Sequence, residues 1–248
     1  MESMENYRKF LKSDWEKLSE VASDQQRGIA PPAVGKPYDK NAETVELVDV
    51  RKMETLKVEL KQLIANRRSR RKFAKQQFTL AEFSFLLWAT QGIKSASADG
   101  SASFRTVPSA GARHALETYI CINNIEGLDR GLYRYLPIEH KLLVIRRDEN
   151  IMRDIASACC GQSWMATSAA VFVWSTIPYR MEWRYSIASH KAIALDAGHV
   201  CQNLYLAAQA IAGGVCAVAA YIQNEVDKVI GLDGKDEFAI YIAAVGKV

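Results

Sequence analysis

Three short runs rich in β-branched and aromatic residues follow one another between Leu116 and Arg146, and only turn residues separate them. They span Leu116 to Asn123, Gly131 to Leu136 and Lys141 to Arg146. Connections this short leave no room for the crossover that a parallel neighbour needs, so the spacing predicts an antiparallel meander. Ala169 to Thr176 reads as another strand and Phe238 to Val245 as a final buried one. Helices punctuate these strands. Thr79 with Glu82 makes a capping box for a helix through Phe83, Leu86, Leu87 and Trp88, stopped near Gly92. Ile151, Ile155 and Cys159 recur at helical spacing and end by Gly161. A long helix of small residues is expected from about Leu195 to Ala212, with Val200, Leu204, Ala208 and Ile211 on one face and Gly213-Gly214 as its stop. Its alanine-rich surface permits close packing, including between subunits. The pattern is α+β, a mostly antiparallel sheet flanked by helices, with no repeat.

The chain divides into an N-terminal arm over residues 1–50 and a domain over 51–248. In the arm, Tyr7, Phe10, Leu11, Trp15, Leu18 and Val21 lie at roughly helical spacing and predict one packed face. Pro31, Pro32 and Pro37 then exclude regular helix, so that stretch should lie extended over the body. A further helix places Leu56, Leu60, Leu63 and Ile64 on one face, and Lys94 to Ser103, small and polar, reads as a mobile loop. The 248 residues and the 49% hydrophobic fraction suit one large domain with a real core. A net charge of +4, with both signs interspersed, gives no field to steer the chain onto DNA or anionic lipid. No apolar run reaches the roughly 20 residues that span a bilayer, and the first residues do not read as a signal peptide, so a cytoplasmic protein is expected. Five cysteines without paired spacing are expected to be buried free thiols.

Chemistry is concentrated in Arg67-Arg68-Ser69-Arg70-Arg71-Lys72-Phe73. Guanidinium forks hold phosphate bidentately and Ser69 adds a hydroxyl, so the run reads as an anion cradle; a solvated charge run or a nucleic-acid patch is the alternative. No dinucleotide-binding glycine fingerprint, phosphate-binding P-loop or nucleophile elbow occurs. His190 and His199 lack metal-site spacing, and no metal is expected. Tyr179, Arg180, Trp183, Arg184 and Tyr185 form an aromatic and basic run suited either to an anionic ligand or to an amphipathic helical cover.

The arginine run, Pro108-Ser109-Ala110-Gly111-Ala112-Arg113-His114, Gly131-Leu132-Tyr133-Arg134-Tyr135, Leu195 to Leu204 leading into Gly213-Gly214, and the closing Ala244-Val245-Gly246 occur in an order that resembles the FMN-dependent nitroreductase superfamily. The resemblance runs from about residue 55 onward and is greatest to the SagB/ThcOx-type branch, some of whose members oxidise azolines to azoles. It implies an intertwined homodimer with FMN at the subunit interface. Arg67, Arg68 and Ser69 would hold the phosphate and ribityl chain, and Arg71 would stand near the pyrimidine edge, where a cation favours the reduced flavin. Pro108, Ser109, Ala110 and Gly111 would approach the flavin from the second subunit, and Gly213 and Gly214 would form a turn against it. Lys247 stands where many relatives carry an arginine and is expected to reach the phosphate. Taken singly, Ser69 is also a plausible helix cap, Pro108-Ser109 an ordinary turn and Gly213-Gly214 a simple helix terminator.

The implied activity is hydride transfer from NAD(P)H through flavin N5 to a nitroaromatic or quinone, with no catalytic side chain designated. An azoline-type dehydrogenase using oxygen is the alternative, and a non-catalytic flavin-binding or polyanion-binding protein is the alternative of another class.

Overall fold

The computed structural model describes residues 4–13, 15–53, 58–97 and 102–248. In the arm, α1 (Met4–Lys9) and a 3-10 turn (Trp15–Glu20) replace the expected amphipathic helix, and Phe10, Leu11 and Trp15 remain more than half exposed. Tyr7's side chain and Leu56 lie outside what is described. Residues 23–38 do lie over the body. Trp183 Nε1 donates to the Ile29 carbonyl at 2.8 Å, Arg105 Nη2 to that of Val34 at 3.3 Å, and Arg134 Nη2 to that of Pro37 at 3.1 Å. Next come β1 (Thr44–Glu46) and α2 (Leu60–Asn66). The expected apolar face of α2 finds little cover, with Leu60 62% and Ile64 58% exposed.

α3 (Leu80–Gln91) begins at the anticipated capping box, where Thr79 Oγ1 accepts from Glu82 N at 3.1 Å and Glu82 Oε2 accepts from Thr79 N at 2.9 Å. Of the stretch read as a loop, Lys94 to Ala96 and Ser103 belong instead to a two-stranded ribbon, β2 (Ile93–Ala96) against β3 (Ser103–Arg105), and residues 98–101 lie outside what is described. Its small polar residues concealed a pairing that Arg105 helps hold, through Nη1 to Gln91 Oε1 at 2.9 Å.

The meander is β4 (Leu116–Ile122), β5 (Gly131–Leu136) and β6 (Lys141–Arg147), followed by α4 (Ile151–Ala158) and β7 (Ala170–Thr176). α5 (Tyr179–Tyr185) turns the aromatic and basic run into a helical cover that buries Arg180, Met181 and Trp183. α6 (Ser189–Ala210) starts six residues before the expected Leu195, directly after the break made by Ser186 at φ 43°. It also ends before the glycines. Ala212, at φ 54°, makes the reversal, and Gly213 and Gly214 open β8 (Gly213–Val218) rather than forming a turn. α7 (Gln223–Ile230) and β9 (Phe238–Lys247) complete the chain.

Seven strands form one antiparallel sheet in the order β1-β6-β5-β4-β7-β9-β8. β4 and β7 are buried at every position because both faces are covered. Alternation divides them: Phe172 and Trp174 join Phe83, Leu87 and Leu204 under α3 and α6, whereas Val171 and Val173 join Ile151, Ile155 and Ile230 under α4 and α7. Four of the five cysteines are buried free thiols; Cys160, beyond the end of α4, is exposed, contrary to expectation.

Candidate functional site

The arginine run leaves α2 in extended geometry, with Arg67 at φ −56° and ψ 124°, and lies along the free edge of the sheet. Ser69 bridges Val215 of β8 in parallel, Arg70 N donates to the Val215 carbonyl at 2.8 Å, and Ala74 N donates to that of Lys247 at 2.8 Å. This close approach explains the glycines. A Cβ at Gly214 would stand 2.6 Å from Arg70 Cγ, and one at Gly246 would stand 2.9 Å from the Phe73 ring. Glycine therefore serves here to let a neighbouring segment lie flat on β8 and β9.

Arg67 is half-buried, and Arg68, Ser69, Arg70, Arg71 and Lys72 are exposed. Among the described residues, none of these five cations has a carboxylate within ion-pair distance, whereas Arg51, Arg130, Arg146, Arg147, Arg153 and Arg180 each have one. Ser69 Oγ lies 3.0 Å from the hydroxyl of Tyr205, which also accepts from Ala217 N at 2.8 Å, so α6 and β8 together fix the serine. The Arg67 guanidinium lies over the Tyr205 ring at 5.4 Å, and that of Arg71 over the Trp164 ring at 5.8 Å. Behind them burial pushes the Cys216 thiol pKa up, against the pull of Arg71. Lys247 is differently committed. Its ammonium bonds Glu82 Oε1 at 2.5 Å and the Ile211 carbonyl at 2.8 Å, where it compensates the carbonyl end of α6 rather than adding to the cradle.

Pro108 to Gly111 belongs to a second constellation. Ser109 Oγ accepts from His114 N at 2.9 Å, and Ala110 N donates to Asp196 Oδ1 of α6 at 3.4 Å. Burial raises the Asp196 pKa, opposed by the Ser109 hydroxyl and the Ala110 amide, and its Oδ2 is buried without a partner. Gly111, Ala112 and His114 adopt φ of 57°, 53° and 46°, three left-handed residues within four positions. Non-glycine residues pay for such geometry, and it concentrates at functional turns. Gly111 also makes room, because a Cβ would stand 2.5 Å from the Tyr185 hydroxyl and displace it. The turn borders an open groove of about 830 Å³ that Arg105, His114 and Arg184 also line. Neither the arginine run nor Gly213 and Gly214 reaches this groove, so one chain does not join the two constellations.

The model of the Nitroreductase family matches residues 64–247, which contain both. This chain belongs to the nitroreductase family. A Methanocaldococcus jannaschii protein classed as a nitroreductase is 29% identical over 190 residues, 77% of this chain and 91% of its own length. A solved nitroreductase-class structure from Anabaena variabilis superimposes with a TM-score of 0.71 at 25% identity, covering 86% of this chain; this chain spans only 43% of that one. A chain of the E. coli microcin synthetase McbBCD complex superimposes with a TM-score of 0.61 at 18% identity over 98% of this chain and 91% of its own, a likeness of fold that takes in the arm.

In this nitroreductase-family chain, the residues beside the two constellations that sequence reasoning missed are Tyr205, Trp164 and Asp196, each supplied by an element remote from the motif it supports. Tyr205 lies 136 positions from Ser69. The one available signal was a polar-tipped aromatic within an otherwise small-residue helix. His190, weighed as a ligand, bonds Glu182 Oε1 at 2.8 Å.

Proposed function

We propose that this nitroreductase-family chain is an FMN-dependent oxidoreductase that passes hydride from NAD(P)H to a small oxidised acceptor such as a nitroaromatic or a quinone. The observation that carries the reading is the row of five cations beside β8 that, among the described residues, have no carboxylate partner. Adjacent like charges repel, and an anion relieves them. The donor set fits a phosphate monoester: Arg67 and Arg68 supply forked donors, and Ser69, steadied by Tyr205, adds a hydroxyl. FMN, when bound, supplies the two-electron chemistry. Arg71 would favour the negative charge of the reduced form, and Gly213 and Gly214 would keep β8 close beneath the cradle. From the partner subunit, Pro108 to Gly111 would present a rigid turn, with Ser109 held by His114 N and Ala110 by Asp196. A homodimer is part of this reading, because the two constellations lie apart within one chain and α2 leaves Leu60 and Ile64 uncovered.

The test is the absorption spectrum of the purified protein, followed anaerobically after addition of NADH or NADPH. Flavin bands that bleach support the reading and identify the donor; a colourless protein that FMN cannot reconstitute overturns it. The likeness to the microcin synthetase chain, arm included, favours one second reading, an azoline-type dehydrogenase with oxygen as acceptor. For that enzyme the bands are present and neither nicotinamide bleaches them.

A further inference from the structure

The groove beside Pro108 to Gly111 divides by chemistry. Phe104, Val107 and Pro108 form an apolar side, while Lys94, Arg105, His114 and Arg184 bring nitrogen atoms to the rest. Among the described residues, no aspartate or glutamate lines it. Arg105 is occupied, since its guanidinium bonds Gln91 Oε1 at 2.9 Å and the Val34 carbonyl at 3.3 Å. His114 is neutral at physiological pH, because burial, with the neighbouring Arg105 adding to it, lowers its pKa to about 3. Lys94 and Arg184 differ from both. Each is exposed and, among the described residues, has neither a carboxylate nor a hydrogen-bond partner. The turn itself positions Arg184: its Nε and Cδ lie 3.0 Å from the place a Gly111 Cβ would occupy, and its guanidinium lies 5.5 Å from the Tyr185 ring.

We propose that this groove takes the acceptor as an anion, a planar aromatic or conjugated carboxylate whose ring lies against Phe104, Val107 and Pro108 and whose carboxylate is held by Arg184 and Lys94. The assignment rests on the reading that Pro108 to Gly111 faces the cofactor, which brings a ligand here within reach of hydride. The guanidinium fork matches the two carboxylate oxygens, and the lysine adds a mobile point charge. A volume of about 830 Å³ exceeds what one substituted ring needs and leaves space for water around the anionic head. The two cations therefore act mainly on selectivity, separating a carboxylate from a neutral molecule of the same shape.

The holoprotein is tested with 4-nitrobenzoate and its neutral near-isostere 4-nitrobenzamide. Each two-electron turnover takes one hydride from NAD(P)H and one proton from solvent, and yields the nitroso compound, oxidised nicotinamide and water. The wild type is expected to favour the carboxylate in kcat/KM by at least about tenfold, the scale of one charge-assisted contact. Arg184→Gln and Lys94→Gln should each lower that ratio several-fold, whereas Arg153→Gln, on α4 and paired with Asp154, leaves it unchanged. Calorimetric titration of 4-nitrobenzoate reads the same contact without turnover. Weaker binding in both groove variants supports the proposal even where NAD(P)H drives no reaction, an outcome that defeats the NAD(P)H-dependent reading alone. Equal affinities and equal ratios in all proteins overturn the proposal. An increase in KM confined to NADPH also overturns it, and assigns the two cations to the donor's phosphate.

Discussion

Arg67 is the residue on which the cradle reading depends most. It combines a forked donor with partial burial over the Tyr205 ring, and among the described residues no carboxylate competes for it. Arg67→Ala is expected to weaken FMN retention by roughly 2 to 3 kcal/mol, the usual loss for one partner of a charge-assisted pair. Equilibrium dialysis of FMN measures it, and unchanged affinity would remove Arg67 from the site. His114 permits a pH test. Its pKa falls from the ordinary 6.5 to about 3 in the fold, so the unfolded chain binds the extra proton first as pH drops. The stability it contributes is complete above pH 6.5 and is lost progressively toward pH 3. His114→Asn, which tolerates the left-handed backbone at φ 46°, should flatten the denaturation midpoint across that window; identical pH profiles would show that another group carries the dependence. At this scale the contiguous motifs were legible, Arg67 to Phe73 because it places several donors on one short segment and Pro108 to His114 through its resemblance to the family's pattern. Tyr205, Trp164 and Asp196 were not, since only tertiary folding brings them to those segments.

Among the elements, the strap over residues 23–38, a hydrogen-bonded turn over 24–28 followed by an irregular, non-helical course, does more than lie on the surface. Lys36 Nζ bonds Glu237 and, at 2.8 Å, the Tyr119 hydroxyl, and Lys36 N donates to Glu117 Oε1 at 3.2 Å. Glu237 also accepts from Ser175 Oγ at 2.6 Å, and Glu117 holds buried Arg180 at 2.7 Å. The strap thus supplies a cation and several carbonyls to a polar seam in the sheet. Lys36→Met is expected to cost roughly 1 to 3 kcal/mol by leaving Glu237 short of a partner. Urea unfolding checks this, and a midpoint equal to wild type would make the strap ornamental. Prolines 31, 32 and 37 made the non-helical course readable, yet nothing local announced the seam beneath it. β8 was hidden by its own glycines, which serve close packing and imitate a helix stop. The β2 and β3 ribbon was hidden by small residues that carry little strand propensity.

For the whole molecule, the uncovered face of α2 bears on assembly. In an isolated chain Ile64, 58% exposed, should tolerate aspartate within about 0.5 kcal/mol. If two copies meet there, Ile64→Asp should convert dimer to monomer in sedimentation and release flavin in the same step; a flavin-bearing dimer would place the interface elsewhere. The α+β class and the meander were readable because neighbouring strands are neighbours in sequence. The far side of the sheet was not, because β9 enters between β7 and β8, a long-range register that no local pattern encodes. That insertion has a consequence for biosynthesis. Until residues 238–247 have left the ribosome, β8 has no ladder partner and the arginine run has no edge on which to lie. On the flavin reading, cofactor capture must then wait for β9 to emerge, and a nascent chain stalled before Phe238 would be colourless however much flavin surrounded it.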